Sequence, residues 1–235
     1  MFSQSVVHWT SQDAVQVHLD PLHIPFSLDV LEEGSGIDAG GTNTVVRCEL
    51  KSERACHLKL LWRVPCSSLG RLLNVVTAAD VLLLHGDTRS FGPGEHSIEA
   101  VYQGEETLEE PSLPRSHYPL VAVVEITAAP ESPSSVVALV AVIHVRDTHT
   151  SMATSVLHRY VRQADGRVTL LQPLYSSAEE GGSEPLGLCS VCQEAPAAVV
   201  LLPCRHGCVC RACFARTPTC PLCRGFVAQY FTRSL

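Results

Sequence analysis

Sulfur is concentrated in the last quarter of the chain. Eight of the eleven cysteines in this 235-residue sequence lie between Cys189 and Cys223. Seven of them and one histidine read Cys189-x2-Cys192-x11-Cys204-x1-His206-x3-Cys210-x2-Cys213-x6-Cys220-x2-Cys223. No other feature limits the fold so strongly. Zinc takes four thiolate or imidazole ligands in a tetrahedron, and two cysteines separated by two residues can reach one ion from a tight turn. Eight ligands make two such sites. A segment of 35 residues cannot bury a sizeable core, so metal must supply much of its folding free energy. One pair arises readily by chance; four ordered pairs with histidine in fourth place do not. The bland reading of His206 is a surface histidine beside a cysteine, but the pattern leaves one coordination position for it to fill. Cys208 stands outside the pairs, because Cys210-x2-Cys213 makes a proper pair and Cys208 does not. It is expected to be a free or packed thiol, the alternative being that it replaces Cys210 as a ligand.

The rest of the chain has a different balance. Residues 1–188 carry 12 Lys+Arg against 23 Asp+Glu, while residues 189–235 carry five Arg and one acid, Glu194. The balances are −11 and +4, which suggests two modules with different partners. The net charge of −7 argues against a nucleic-acid binder over the whole length, and the basic end lacks the interleaved aromatics and dense basic stripe such binding needs. A hydrophobic content of 46% suffices for a packed core. The best apolar run, VVALVAVIHV (136–145), is about half of the ~18–20 residues that span a bilayer, and it is β-branched, so it is read as a buried strand. The N-terminus lacks the basic start and apolar stretch of a signal peptide. A reducing compartment, cytoplasm or nucleus, is therefore expected, where cysteines serve as metal ligands or free thiols rather than in a disulfide framework.

Along the chain, VQVHL (15–19) alternates like a strand, and residues 32–43 form a loop by composition. Residues 44–50 and 56–64 predict two strands joined as a hairpin through KSERA. Leu69, Leu72, Leu73 and Val76 have helical spacing, which places a helix over 67–78 and a short strand over 80–85. A loop over 86–96, a strand over 97–103 and an acidic, proline-broken connection over 104–119 follow. The strongest strands are 120–128 and 136–147, paired as a long hairpin, and 151–175 holds two more with a turn at ADGR. The whole is of α+β class. A β-rich, sandwich-like domain with one helix covers 1–175, a flexible linker 176–186, and the two-zinc module 187–235.

The order of seven cysteines and one histidine, with CPLC as its last pair, resembles a RING finger. A plant-homeodomain finger would put its histidine fifth, and a zinc ribbon would stop at four ligands. The resemblance implies cross-bracing, which the spacing itself leaves open. Cys189, Cys192, Cys210 and Cys213 would bind one zinc; Cys204, His206, Cys220 and Cys223 would bind the other. It also implies an adaptor that holds a ubiquitin-charged conjugating enzyme and promotes attack by a substrate lysine. Val191, Pro221 and Leu222 match positions that line the groove for that enzyme. Arg224 matches the cationic residue that bridges enzyme and ubiquitin, a task suited to a planar guanidinium fork. Many RING fingers carry a large apolar residue four places after the sixth ligand; that position here is Thr217, with Phe214 able to compensate. The bland reading of Val191 and Leu222 is that they pack the small core.

The apolar tail GFVAQYFTRSL has two readings. In inhibitor-of-apoptosis RING fingers such a tail packs across a dimer, with an aromatic residue about eleven places after the last cysteine. This chain has Ser234 there, and Tyr230 and Phe231 come earlier. The other reading is a tail strand covering the module's own back face. The segment LCSVCQEAPAAVVLLPCRHGCVCRACFARTPTCPLCRGFV, with PRSHYPLVAVVEI, VALVAVIHVRD and VLHRYV upstream, is similar to the cell growth regulator with RING finger domain family, and more distantly to mahogunin-type ligases. That family begins with a membrane-spanning anchor in the endoplasmic reticulum, and no such segment is found here. The implied function is a RING-type ubiquitin ligase with conjugating enzyme, ubiquitin and a protein substrate as partners. The rival is a non-catalytic scaffold whose zinc module only mediates assembly.

Other candidates carry less. Cys48, Cys56 and Cys66 are expected to be buried thiols rather than a third metal site. His57, His144 and His158 lack paired ligands and are read as structural. GSGIDAGG lacks the lysine of a phosphate loop.

Overall fold

The computed structural model describes residues 14–18, 22–37, 44–76, 78–104, 108, 114–147, 152–176 and 186–233. The chain divides into two compact units, one from Leu22 to Gln172 and the other formed by the residues on either side of it. This differs from the sequence-based division in two respects. Strand β1 (Val15–Gln16) and residues 173–176 belong with the C-terminal unit, not with the β-rich domain or the linker. Most of the expected linker, residues 177–185, lies outside the described residues. Among the described residues no helix is long and apolar enough to cross a membrane.

The β-rich unit contains β2 (Phe26–Ile37), β3 (Thr44–Ser52), β4 (Cys56–Pro65), β5 (Asp87–Phe91), β6 (Gly94–Tyr102), β7 (His117–Ile126), β8 (Val136–His144), β9 (Ser155–Gln163) and β10 (Val168–Leu171). They form a six-stranded sheet in the order β10-β9-β8-β7-β4-β5 and a three-stranded sheet in the order β2-β3-β6. Side chains alternate across a strand, so each strand sends every second residue inward. Val46, Cys48 and Leu50 of β3 and Ile98 and Ala100 of β6 meet Leu58 and Leu60 of β4 and Leu120, Ala122 and Val124 of β7 in one buried cluster. This is the expected sandwich. Leu139, Ala141 and Ile143 of β8 complete it.

The central strands β7 and β8 are apolar on both faces because both faces are covered. Val121, Val123, Val140 and Val142 pack under a helical segment through Leu69, Leu72, Val76 and Val81. That segment corrects two expectations. The helix expected over 67–78 is a 3-10 turn (Cys66–Ser68) and α1 (Leu69–Asn74), ended by extended backbone at Val75. The strand expected over 80–85 is a second helix, α2 (Ala78–Leu83). A short apolar run fits either period, and here buried Asp80, in the first turn of α2, is held by an ion pair to Arg71 of α1.

Three further expectations are overturned. Strands β3 and β4 are not a hairpin: β3 pairs with β2 and β6, and β4 with β5 and β7. Their apolar faces oppose each other across the core, so the KSERA segment crosses between sheets. The loop expected over 32–43 is strand as far as Ile37, with an irregular register between Leu31 and Gly36. The loop expected over 86–96 holds β5 and the start of β6. β5 is an edge strand with no buried residue, so its composition is that of a loop. Gly86 permits its entry: a Cβ there would lie 2.7 Å from the Leu60 carbonyl oxygen.

The C-terminal unit contains β11 (Tyr175–Ser176), β12 (Val199–Leu202), β13 (His206–Val209), α3 (Arg211–Phe214) and β14 (Gln229–Thr232). With β1 they form one sheet in the order β1-β14-β12-β13-β11. β12 and β13 are an antiparallel hairpin, β14 runs antiparallel to β12, and β1 and β11 are added in parallel at the two edges.

Candidate metal centre and its surface

Two turns of the C-terminal unit repeat one local geometry. After Cys189 and Cys192 the chain turns through Gln193 at φ 57, whose N–H donates to the Cys189 carbonyl at 2.8 Å. After Cys220 and Cys223 it turns through Arg224 at φ 59, whose N–H donates to the Cys220 carbonyl at 2.7 Å. Each turn folds its cysteine pair toward a common point. The other ligand candidates come from regular structure. Cys204 lies in the turn between β12 and β13, His206 opens β13, and Cys210 and Cys213 sit at the N-cap and within α3.

The ligand atoms of Cys189, Cys192, Cys210 and Cys213 all lie within 4.8 Å of one another, and so do those of Cys204, His206, Cys220 and Cys223. Pairs one and three are joined, and pairs two and four, which is the cross-brace. In a zinc–thiolate tetrahedron with bonds of ~2.3 Å the sulfurs stand about 3.8 Å apart, so both tetrads fit the ion. His206 turns Nδ1 toward the cluster, 3.5 Å from Cys220 Sγ. The electrostatics agree. Burial raises the Cys189 thiol, but N–H groups of Cys192, Cys210 and Val191 outweigh it and bring it to about 6. Cys213 is pushed up to about 12, first by its contact with Cys210 and then by burial. Burial likewise pushes Cys204 up to about 11. Thiols this close cannot all ionise without a cation between them, and metal binding requires thiolates. The donor set, the spacing and the N–H donors to sulfur fit two zinc ions.

Cys208 enters neither tetrad. It is fully buried in the cluster of Val199, Leu201, Val209 and Phe214, and burial, with Cys220 next, pushes its thiol up to about 12. Cys210, not Cys208, completes the first site.

Of the residues expected to face a partner, Val191 is 50% exposed and Leu222 48%, each within a cysteine turn. Arg224 is exposed and Pro221 half-buried. Phe214 is different: it is buried, with its ring 4.4 Å from that of Tyr230, so it serves the core. Thr217 lies just past α3 and caps its C-terminal end, its hydroxyl donating to the Cys213 carbonyl at 2.7 Å. Tyr230 and Phe231 lie on β14, which pairs with β12 inside the unit's own sheet, while Ser234 lies outside the described residues. Leu188 and Phe226 are also exposed, beside the two turns in sequence. Sequence reasoning passed over both, and only their nearness to the cysteine pairs could have marked them.

In the β-rich unit Cys48 and Cys56 are buried apart from any metal-binding group among the described residues. Burial, with Asp29 second, pushes the Cys48 thiol up to about 12. Cys66 is partly buried, its thiol facing the Arg115 carbonyl. His57 meets the Ser90 hydroxyl and His158 the ring of Tyr160. Buried His144 bridges Arg115 and the Met152 carbonyl.

Comparison with known proteins agrees with this geometry. Residues 186–230 match the family described as zinc finger, C3HC4 type (RING finger). Cell growth regulator with RING finger domain protein 1 of Mus musculus is 31% identical over 175 residues, covering 58% of this chain and 52% of that protein. Its Homo sapiens counterpart is 32% identical over 154 residues, 51% of this chain and 46% of that protein. Probable BOI-related E3 ubiquitin-protein ligase 3 of Arabidopsis thaliana is 44% identical over 39 residues, 17% of this chain and 12% of that protein. The chain spans about half the length of the cell growth regulator relatives. No solved structure matches it.

Proposed function

We propose that this chain is a RING-type ubiquitin ligase. The carrying observation is the cross-braced pair of tetrads with Val191, Leu222 and Arg224 exposed on its two cysteine turns. Each tetrad would supply all four ligands of a tetrahedral zinc, which leaves no place for a reactive water. Zinc, when bound, supplies folding free energy. The chemistry is then one of positioning. Val191, Leu222 and half-buried Pro221 offer the conjugating enzyme an apolar seat. Arg224 donates to carbonyls of both the enzyme and its bound ubiquitin, holding the thioester open to attack. The substrate lysine amine forms the isopeptide bond and the conjugating enzyme's thiolate leaves. No ubiquitin bond forms on this chain, and buried Cys208 is no acceptor.

The β-rich unit recruits the substrate or partner in this scheme. Seven cysteine ligands that must stay reduced suit the cytoplasm or nucleus. The ligase name of the Arabidopsis relative supports the reading. The scaffold reading draws on one observation, that Phe214 and Thr217 are turned inward and leave the partner surface small. Autoubiquitination with a panel of conjugating enzymes separates them. Ladders from wild type that vanish in Leu222→Ala, with two zinc ions retained, establish the ligase. No ladder with any enzyme, from protein holding two zinc ions, establishes the scaffold.

A further inference from the structure

The zinc-binding sheet is wider than the segment that matches a RING finger. Its two outer strands come from residues 15–16 and 175–176, both outside 186–230. They flank the β-rich unit in sequence, one before Leu22 and one after Gln172.

At one edge, Tyr175 lies opposite His206 and Ser176 opposite Gly207. The Tyr175 N–H donates to the Arg205 carbonyl at 2.9 Å. Its ring stands 5.6 Å from the His206 imidazole, and the Arg205 guanidinium carbon lies 5.1 Å from the centre of the same ring. Arg205 Nη2 also donates to the Tyr175 hydroxyl at 3.3 Å. Arg205 needs this support. It lies in left-handed backbone at φ 63, unfavourable for a residue with a Cβ, directly between the ligands Cys204 and His206. Its N–H is held by the Leu201 carbonyl at 2.7 Å, and Tyr175 holds its carbonyl and side chain.

At the other edge, Val15 and Val17 donate to the carbonyls of Ala228 and Tyr230 at 3.1 and 2.8 Å. Ala14 packs on the cluster that contains Cys189, Cys210 and Phe214, and Val17 on that of Leu186, Val200 and Phe231.

We propose that the zinc module of this chain is composite, completed by residues 14–17 and 173–176. Tyr175 is a positioning residue for the Cys204, His206, Cys220 and Cys223 site. A metal ligand keeps its orientation through its neighbours, and losing such a neighbour typically weakens metal binding about 10–100-fold. This claim holds whether or not the module transfers ubiquitin.

The test uses the full chain loaded with cobalt in place of zinc, since an all-sulfur site and a site with one nitrogen have distinct visible bands. A chelator then removes the metal. Tyr175→Ala is expected to lose metal from the histidine-containing site about ten-fold faster than wild type, with the all-sulfur site little changed. Tyr175→Phe keeps the ring and the backbone bond and is expected within about two-fold of wild type. If Tyr175→Ala takes up one equivalent, at the all-sulfur site, while Tyr175→Phe takes up two, the conclusion is the same. Equal rates for wild type and Tyr175→Ala, equal acceleration at both sites, or a Tyr175→Phe protein as impaired as Tyr175→Ala would overturn the role of Tyr175. For the other edge, Val17→Pro removes the N–H that reaches Tyr230 and is expected to reduce amide protection across β12 and β14. Unchanged protection there would remove residues 14–17 from the module.

Discussion

The two units hold themselves together by opposite means. In the β-rich unit two sheets share a large apolar core, and a second apolar layer lies under the helices. Each side chain there contributes a little, and many hydrophobic residues of similar size would serve. In the zinc unit the clusters are small, and cysteines form much of the larger one. Eight side chains arranged in two tetrads carry the fold, and none has a substitute. Residues that act by number leave the function of their domain open. Residues that act by coordination announce both their fold and their chemistry.

The largest effect that can sharpen this contrast is removal of a ligand. Structural zinc contributes about 10–16 kcal/mol in small fingers, more than a unit of this size holds otherwise. Cys204→Ala is expected to abolish amide protection in β12 and β13 while β7 and β8 exchange as in wild type, measured by hydrogen exchange on the full chain. Loss of protection in both units would break the comparison. Next comes Leu60→Ala in the sandwich core, expected to cost about 2–5 kcal/mol by chemical denaturation with both zinc ions retained. A smaller effect follows at Glu125, whose carboxylate pairs with Lys59 and Arg162, all three largely buried. Glu125→Ala leaves two cations without it and is expected to cost about 1–3 kcal/mol.

The smallest is a pH effect at His144. Burial is the main cause that lowers its pKa from 6.5, with the Met152 carbonyl opposing and Arg115 assisting. Arg115 donates to Nδ1, so the folded state holds the ring neutral. Asp147, paired with Arg115, faces the same group. A depressed folded pKa gives stability that is full above the unfolded value and is lost as pH falls through it toward the folded one. Denaturation midpoints of the β-rich unit are expected to fall between pH 7 and about 5, and to fall less in His144→Gln.

The same contrast explains what the sequence disclosed. The eight ligands were legible because thiolate and imidazole at turn spacing have few other uses. The cross-brace came only with the family likeness. β7 and β8 were legible as long apolar runs that need cover on both faces. Pairing was not: alternation in β3 and β4 shows which face is buried, but the same pattern serves a hairpin or two facing sheets. β5 was lost because an edge strand without a buried face has the composition of a loop. The run Val81–Leu83 was lost because so short an apolar segment suits strand and helix alike. The pairing of Tyr175 and β1 with the zinc unit was invisible for a deeper reason. Edge pairing is made by backbone groups, which every residue carries. Phe214 was misplaced because an aromatic beside a ligand looks alike whether it faces a partner or the core.

The most direct measurement is single-turnover discharge of a ubiquitin-charged conjugating enzyme to free lysine, with wild type and Arg224→Ala each shown to hold two zinc ions. Wild type is predicted to accelerate discharge. Arg224→Ala is predicted to lose about ten- to hundred-fold of that acceleration, the ~1.5–3 kcal/mol of a charged hydrogen bond. Discharge unaffected by wild-type protein across a panel of conjugating enzymes would contradict the account and leave the zinc module an assembly surface.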